Sequence, residues 1–156
     1  MGGGHAAAVI VTLPGGARVR ASPLRDRVED DPERAFGLYM DEKWRPSWAA
    51  EVIEWEDFGV PCDPDRAAEQ IRSAYERARL GELVEIGCVG GLGRTGTVLA
   101  CMAILSDVPP EEAVAWVREH YNPHAVETPE QEEWVCWFAA PSNEGNQRTG
   151  AQASQD

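Results

Sequence analysis

Short apolar runs separated by turn residues fill the first part of the chain, and apolar positions at helical spacing dominate the rest. Residues 6–13 have strand length, Pro14-Gly15-Gly16 is a turn, and residues 17–20 return as the second arm of a hairpin. Residues 22–33 are charged and irregular, which predicts a surface loop with Glu29, Asp30 and Asp31 in solvent. Residues 35–40 predict a short strand and residues 43–47 a loop. Residues 49–55 predict a buried strand centred on Val52 and Ile53.

The strongest helix signal comes next. Asp63 is a cap residue and Pro64 suits a first turn; Ala67, Ala68, Ile71, Ala74, Tyr75 and Ala78 then recur on one face until Gly81 ends the run. Residues 83–86 are a short apolar strand, residues 87–93 are glycine-rich, and residues 95–106 predict a helix buried on most faces. Pro109-Pro110 opens a further helix, with Ala113, Val114, Val117 and Tyr121 on one side. Thr128-Pro129 opens the last, which carries Trp134, Val135 and Phe138. Residues 141–156 turn to Ser, Asn, Gln, Gly and Thr and predict a disordered tail.

No internal repeat is visible. Strands alternating with helices, followed by a helical C-terminal half, predict an α/β fold with a central, mostly parallel sheet flanked by helices. Residues 1–140 are expected to form one catalytic domain, with residues 141–156 outside it. In such a fold the site lies where the carboxyl end of a strand meets the amino end of a helix.

Charge narrows the functions. With 14 Lys and Arg against 27 Asp and Glu, the net charge is −13. Nucleic-acid and anionic-membrane binding both need a basic surface and are not expected. An anionic substrate must therefore be held by a local site. The chain has four cysteines, Cys62, Cys88, Cys101 and Cys136, with no Cys-x-x-Cys pair. No metal site and no cofactor are expected from this spacing. The amino terminus lacks a basic segment and the apolar runs are too short to span a membrane, which points to a cytoplasmic protein with reduced thiols. Richness in Ala, Gly, Arg, Glu and Pro fits a bacterial origin with GC-rich DNA. Nothing in the sequence sets the oligomeric state.

The candidate chemistry sits in Cys88-Val89-Gly90-Gly91-Leu92-Gly93-Arg94-Thr95-Gly96, between a predicted strand and a predicted helix. The glycines let the backbone curl tightly, so that the N–H groups of Val89, Gly90, Gly91, Leu92, Gly93 and Arg94 can line an anion-binding nest. The helix adds its positive amino end. The thiolate is the nucleophilic form of cysteine, and such a position favours it. Arg94 can grip two phosphate oxygens in a fork that lysine cannot match. A glycine-rich strand-to-helix turn that happens to hold a cysteine is the plain alternative.

Cys-x5-Arg-Thr-Gly resembles the signature loop of the protein tyrosine and dual-specificity phosphatases. The resemblance implies that Cys88 attacks phosphorus to form a phosphocysteine, that Arg94 holds the phosphoryl oxygens, and that Thr95 stabilises the departing thiolate. Trp55-Glu56-Asp57-Phe58-Gly59-Val60-Pro61 resembles that family's acid loop, which makes Asp57 the general acid. Asp63 and Asp65 are weaker candidates for that role, and solvated acidic turn residues are the bland alternative. Thr128-Pro129-Glu130-Gln131 resembles the segment whose glutamine orients the hydrolytic water, which gives that role to Gln131; the same residues also spell a helix cap. The matching segments run over residues 55–131.

Two positions depart from the family pattern: Gly87 replaces the usual His before the nucleophile, and Glu56 replaces a Pro. The loop lacks the Lys pair of phosphoinositide phosphatases, and a short chain without the segment that deepens the phosphotyrosine pocket is similar to the dual-specificity enzymes. The resemblance thus implies a phosphatase for protein phosphotyrosine, with phosphoserine and phosphothreonine also admitted. Alternatives are a small phosphomonoester or RNA 5′ end as substrate, a phospho-binding pseudophosphatase, and rhodanese-like sulfur or arsenate chemistry. Cys101 and Cys136 are expected to be small core residues. Cys62 could pair reversibly with Cys88, as resolving cysteines do in some relatives. His120 and His124 are expected at a helix end or in solvent. Trp44, Trp48, Trp116 and Trp137 are expected to fill core or support loops, with Trp44 also able to line the pocket.

Overall fold

The computed structural model describes residues 9–23, 36–40, 49–56, 58–88 and 92–140. The expected loops at 24–33 and 43–47, the tail at 141–156, and Trp44 and Trp48 lie outside those residues.

Strands β1 (Val9–Thr12), β2 (Arg18–Pro23), β3 (Phe36–Tyr39), β4 (Ala50–Val52) and β5 (Val84–Cys88) form one sheet in the order β1-β2-β5-β3-β4. Among the described strands only β1 runs antiparallel to its neighbour; β2 and β3 flank β5 in parallel register, and β4 pairs in parallel with β3. The hairpin turns at Gly15 and Gly16, both at positive φ (92° and 105°), where glycine bears no steric cost. Helices α1 (Pro64–Arg79), α2 (Gly93–Leu105), α3 (Ala113–His120) and α4 (Pro129–Ala139) follow, with a short 3-10 turn at Pro110–Glu112 before α3.

The expected α/β architecture stands, with shifts at element ends. Strand β2 runs on through Pro23, inside the segment expected to be loop, because it pairs residue by residue with β5 from Val19↔Val84 to Pro23↔Cys88. Strand β4 is a three-residue edge strand that stops at Val52. Ile53 and Trp55 are buried beyond it, and Trp55 makes an isolated bridge to Pro61 in place of further sheet pairing. Strand β5 reaches two residues further than expected, through Gly87 and Cys88.

Alternation divides the sheet into two faces. Val19, Ala21, Leu38, Val84 and Ile86 share one face and join the apolar core with Ala67, Ala68, Ile71 and Ala74 of α1 and with α2. Arg20, Ser22, Gly37, Tyr39, Glu85 and Gly87 share the other. Helix α1 begins as expected: the Asp63 side chain accepts from the Arg66 N–H at 3.2 Å and Pro64 opens the first turn. It ends before Gly81, at φ 108°. Helix α2 is the central helix, with every residue from Gly93 to Ala103 buried. It packs on β5, α1, α3 and α4. Its amino end therefore has no freedom to drift from the end of β5.

Candidate active site

Strand β5 is the middle strand, and its last residue is Cys88, 2% exposed. Helix α2 starts five residues later. Thr95, one turn into α2, donates its hydroxyl to the Cys88 sulfur at 3.0 Å, with both groups buried. Such a donor stabilises negative charge on sulfur. The side chains come together because strand and helix are both clamped by the core, and residues 88 and 95 sit at its two facing ends.

Arg94 is 5% exposed. Its Nη1 donates to the Met40 carbonyl at 2.7 Å and to the Trp55 carbonyl at 2.8 Å. The acceptors come from the residue after β3 and from Trp55, beyond the end of β4. Backbone carbonyls neither move easily nor titrate, so they orient the guanidinium without neutralising it.

The loop after Trp55 is held from two directions. The Trp55 indole donates to the Gly59 carbonyl at 2.7 Å, and the Gln131 amide donates to the same carbonyl at 3.1 Å. Phe58 lies between them at φ 67°, an uncommon conformation for a residue other than glycine. Gln131 is fully buried near the start of α4, and its Oε1 accepts from the Glu127 N–H at 2.8 Å. Its own N–H donates to the Thr128 hydroxyl at 3.1 Å. The cap is thus real, but the glutamine reaches back one residue past the Thr128 position of an ordinary capping box. One side chain both caps α4 and ties it to the loop after Trp55.

Two glycines admit this packing. A Cβ on Gly96 would sit 2.7 Å from the Ala125 methyl and 2.8 Å from the Val126 nitrogen. A Cβ on Gly93 would strike the Glu127 carboxylate and come within 3.3 Å of Gln131 Oε1. Arg118 holds the opposing segment in place, donating to the carbonyls of Ala125 (2.8 Å) and Val126 (2.7 Å). Tyr121 faces the same centre. Burial pushes its phenol well above the usual tyrosine range, and the nearby Cys88 acts in the same direction.

The structure therefore gathers Cys88, Leu92, Gly93, Arg94, Thr95 and Gln131 around the junction of β5 and α2. Asp57, Val89, Gly90 and Gly91 lie outside the described residues. Asp63 is engaged as the α1 cap, and Asp65 is exposed in its first turn. Sequence patterns did not point to Met40, Glu127 or the Tyr121 environment, because these meet the site only through sheet order and loop packing. Cys101 is fully buried, as expected, and burial pushes its thiol well up. Cys136 is exposed, contrary to expectation. The buried stripe of α4 is Gln131, Trp134, Val135 and Phe138, and position 136 falls off that stripe. Cys62 is exposed as well. Among the described residues, no group of three or more His, Cys, Asp and Glu side chains could hold a metal ion, and no helix is long and apolar enough to cross a membrane.

Residues 31–136 match the protein-tyrosine phosphatase family, and the chain belongs to it. By fold it is a small, dual-specificity-like cysteine phosphatase. The crystal structure of Tk-PTP in its active form is similar, with a TM-score of 0.67 and 28% identity over 80% of this chain and 93% of that one. Human DUSP28 shares the fold alone, with a TM-score of 0.64 at 14% identity over 90% of this chain and 99% of that one. An uncharacterized protein of Methanocaldococcus jannaschii is 40% identical over 65% of this chain and 74% of its own. A second from the same organism is 37% identical over 69% of this chain and 72% of its own.

Proposed function

We propose that this phosphatase hydrolyses phosphate monoesters through a phosphocysteine on Cys88. The Cys88 sulfur attacks phosphorus while Arg94 and the loop N–H groups of residues 89–94 hold the phosphoryl oxygens. As the P–O bond breaks, Asp57 gives its proton to the leaving oxygen. Gln131 then orients a water, Asp57 takes a proton from it, and attack on phosphorus releases inorganic phosphate. The sulfur leaves as thiolate, steadied by the Thr95 hydroxyl. The observation that carries this reading is the buried 3.0 Å hydrogen bond from Thr95 to the Cys88 sulfur, beside an Arg94 guanidinium oriented from behind by two carbonyls.

The substrate we propose is protein phosphotyrosine, with phosphoserine and phosphothreonine also admitted. The domain proposed to do this is residues 1–140, in the reducing cytoplasm where the thiol stays free. Hydrolysis of p-nitrophenyl phosphate without added metal tests the mechanism. Loss of turnover in Cys88→Ser, with a fall of about 10²- to 10⁴-fold in Asp57→Ala, is the expected result. Turnover that survives Cys88→Ser would sink the mechanism. A clean wild type that binds phosphopeptide without turnover would favour a phospho-binding module.

A further inference from the structure

The strand that delivers Cys88 carries a fully buried acidic residue three positions earlier. Glu85 lies at the middle of the sheet, 0% exposed. Its Oε1 accepts from the Tyr39 hydroxyl at 2.5 Å, its Oε2 accepts from the Ser22 hydroxyl at 2.8 Å, and Arg20 Nε lies 3.5 Å from Oε2. A charged side chain at the centre of a sheet is costly, and an apolar residue there would serve stability as well or better. Its presence calls for a role that packing alone does not supply.

Tyr39 links this cluster to the site. It is the last residue of β3, fully buried, and it pairs in register with Gly87. The Tyr39 ring lies back across Gly37, where any Cβ would collide with its hydroxyl end. Its own carbonyl accepts from the Ile53 N–H at 2.8 Å. The next residue, Met40, donates its N–H to the Gly87 carbonyl at 2.9 Å and offers its carbonyl to Arg94 at 2.7 Å. The Glu85–Tyr39 bond therefore pins the end of β3 to the middle of β5, one peptide unit before the carbonyl that aims Arg94.

We propose that Tyr39 and Glu85 are positioning residues for Arg94, acting through the Met40 carbonyl. The proposal rests on the phosphatase reading for its effect on turnover.

Tyr39→Phe removes one hydroxyl and keeps the ring. It is expected to lower kcat on p-nitrophenyl phosphate by on the order of ten- to a hundredfold, the scale of a small misplacement of a phosphate-gripping group. KM should change less. The dissociation constant of tungstate, a tetrahedral oxyanion that needs the same grip, should rise by at least about fivefold. The rate of Cys88 alkylation by iodoacetamide should stay within about twofold of wild type, because Thr95 is untouched. Gly37→Ala, which pushes the phenol off Glu85, should reproduce the pattern. Ser22→Ala takes a donor from the same carboxylate without touching β3, and should lower the melting temperature while leaving kcat within about twofold. If Tyr39→Phe matches Ser22→Ala, with stability lost but kcat and tungstate binding kept, the proposal is overturned. Should wild-type protein fail to turn over at all, the phosphatase reading falls by itself, and the tungstate constants of wild type and Tyr39→Phe decide the positioning claim.

Discussion

Two cysteines, one just before helix α2 and one within it, are equally hidden and differently surrounded. Cys88 is 2% exposed and Cys101 is 0% exposed. Cys88 ends a strand at the amino end of the helix, with a hydroxyl donated to its sulfur and a guanidinium on the neighbouring residue of that donor. Cys101 lies mid-helix among Val98, Leu99, Met102 and Ala103, where burial favours the neutral thiol despite some attraction from Arg72. On the proposed mechanism, burial alone therefore does not separate a reactive thiol from an inert one. What separates them is whether dipoles and donors replace the water that burial removed.

The sharpest way to break this comparison is to exchange each sulfur. Cys88→Ser should lower kcat by about 10⁴-fold or more with the fold intact, as loss of a nucleophile does elsewhere. Cys101→Ala should keep kcat within about twofold and cost about 1 kcal/mol of stability, read as a few degrees of melting temperature. Equal losses of activity from the two would end the distinction.

A smaller effect isolates the donor. Thr95→Ala removes the hydroxyl that faces sulfur, and kcat should fall by about ten- to a hundredfold, the worth of one hydrogen bond to a charged group. Thr95→Ser should recover most of it, because the hydroxyl rather than the methyl group carries the effect. Single-turnover measurement should find the loss in the thiolate-forming steps, with substrate affinity little changed.

The smallest effect is a pH dependence. Burial raises the folded-state pKa of Cys101, so the unfolded chain, with a thiol near about 8.5, gives up that proton first. The stability gained from keeping the thiol neutral is complete below about pH 8.5 and is lost as pH rises toward the folded value, by at most about 1.4 kcal/mol per pH unit. Denaturant titrations from pH 8 to 10 should fall more steeply for wild type than for Cys101→Ala. Tyr121, raised in the same direction, adds to the fall only above the ordinary tyrosine range.

Much of the site was legible because it is nearly continuous in the chain. Cys88, Arg94 and Thr95 lie within one strand-to-helix turn, and that local geometry follows from glycines, a helix start and a strand end. The caps at Asp63 and Thr128 were equally readable. Cys136 was misread as core because of its aromatic neighbours, although counting positions from Gln131 at helical spacing puts it off the buried stripe. The length of β2 was not legible, because its last residues, Ala21, Ser22 and Pro23, carry no strand pattern of their own and become strand only by pairing with β5.

The sequence by itself determined the Cys88-to-Arg94 segment proposed to carry the chemistry, the order of elements and where α1 and α4 begin, since each depends on contacts spanning a few residues. Tertiary structure alone decided what holds those groups in place. The carbonyls of Met40 and Trp55 that orient Arg94, the Gly59 carbonyl that accepts from Gln131, and the Tyr39–Glu85 pair beneath them join segments 39 to 72 residues apart. They meet because β3 and β2 both lie against β5, and strand neighbours are chosen by the burial of a shared apolar face rather than by any local signal.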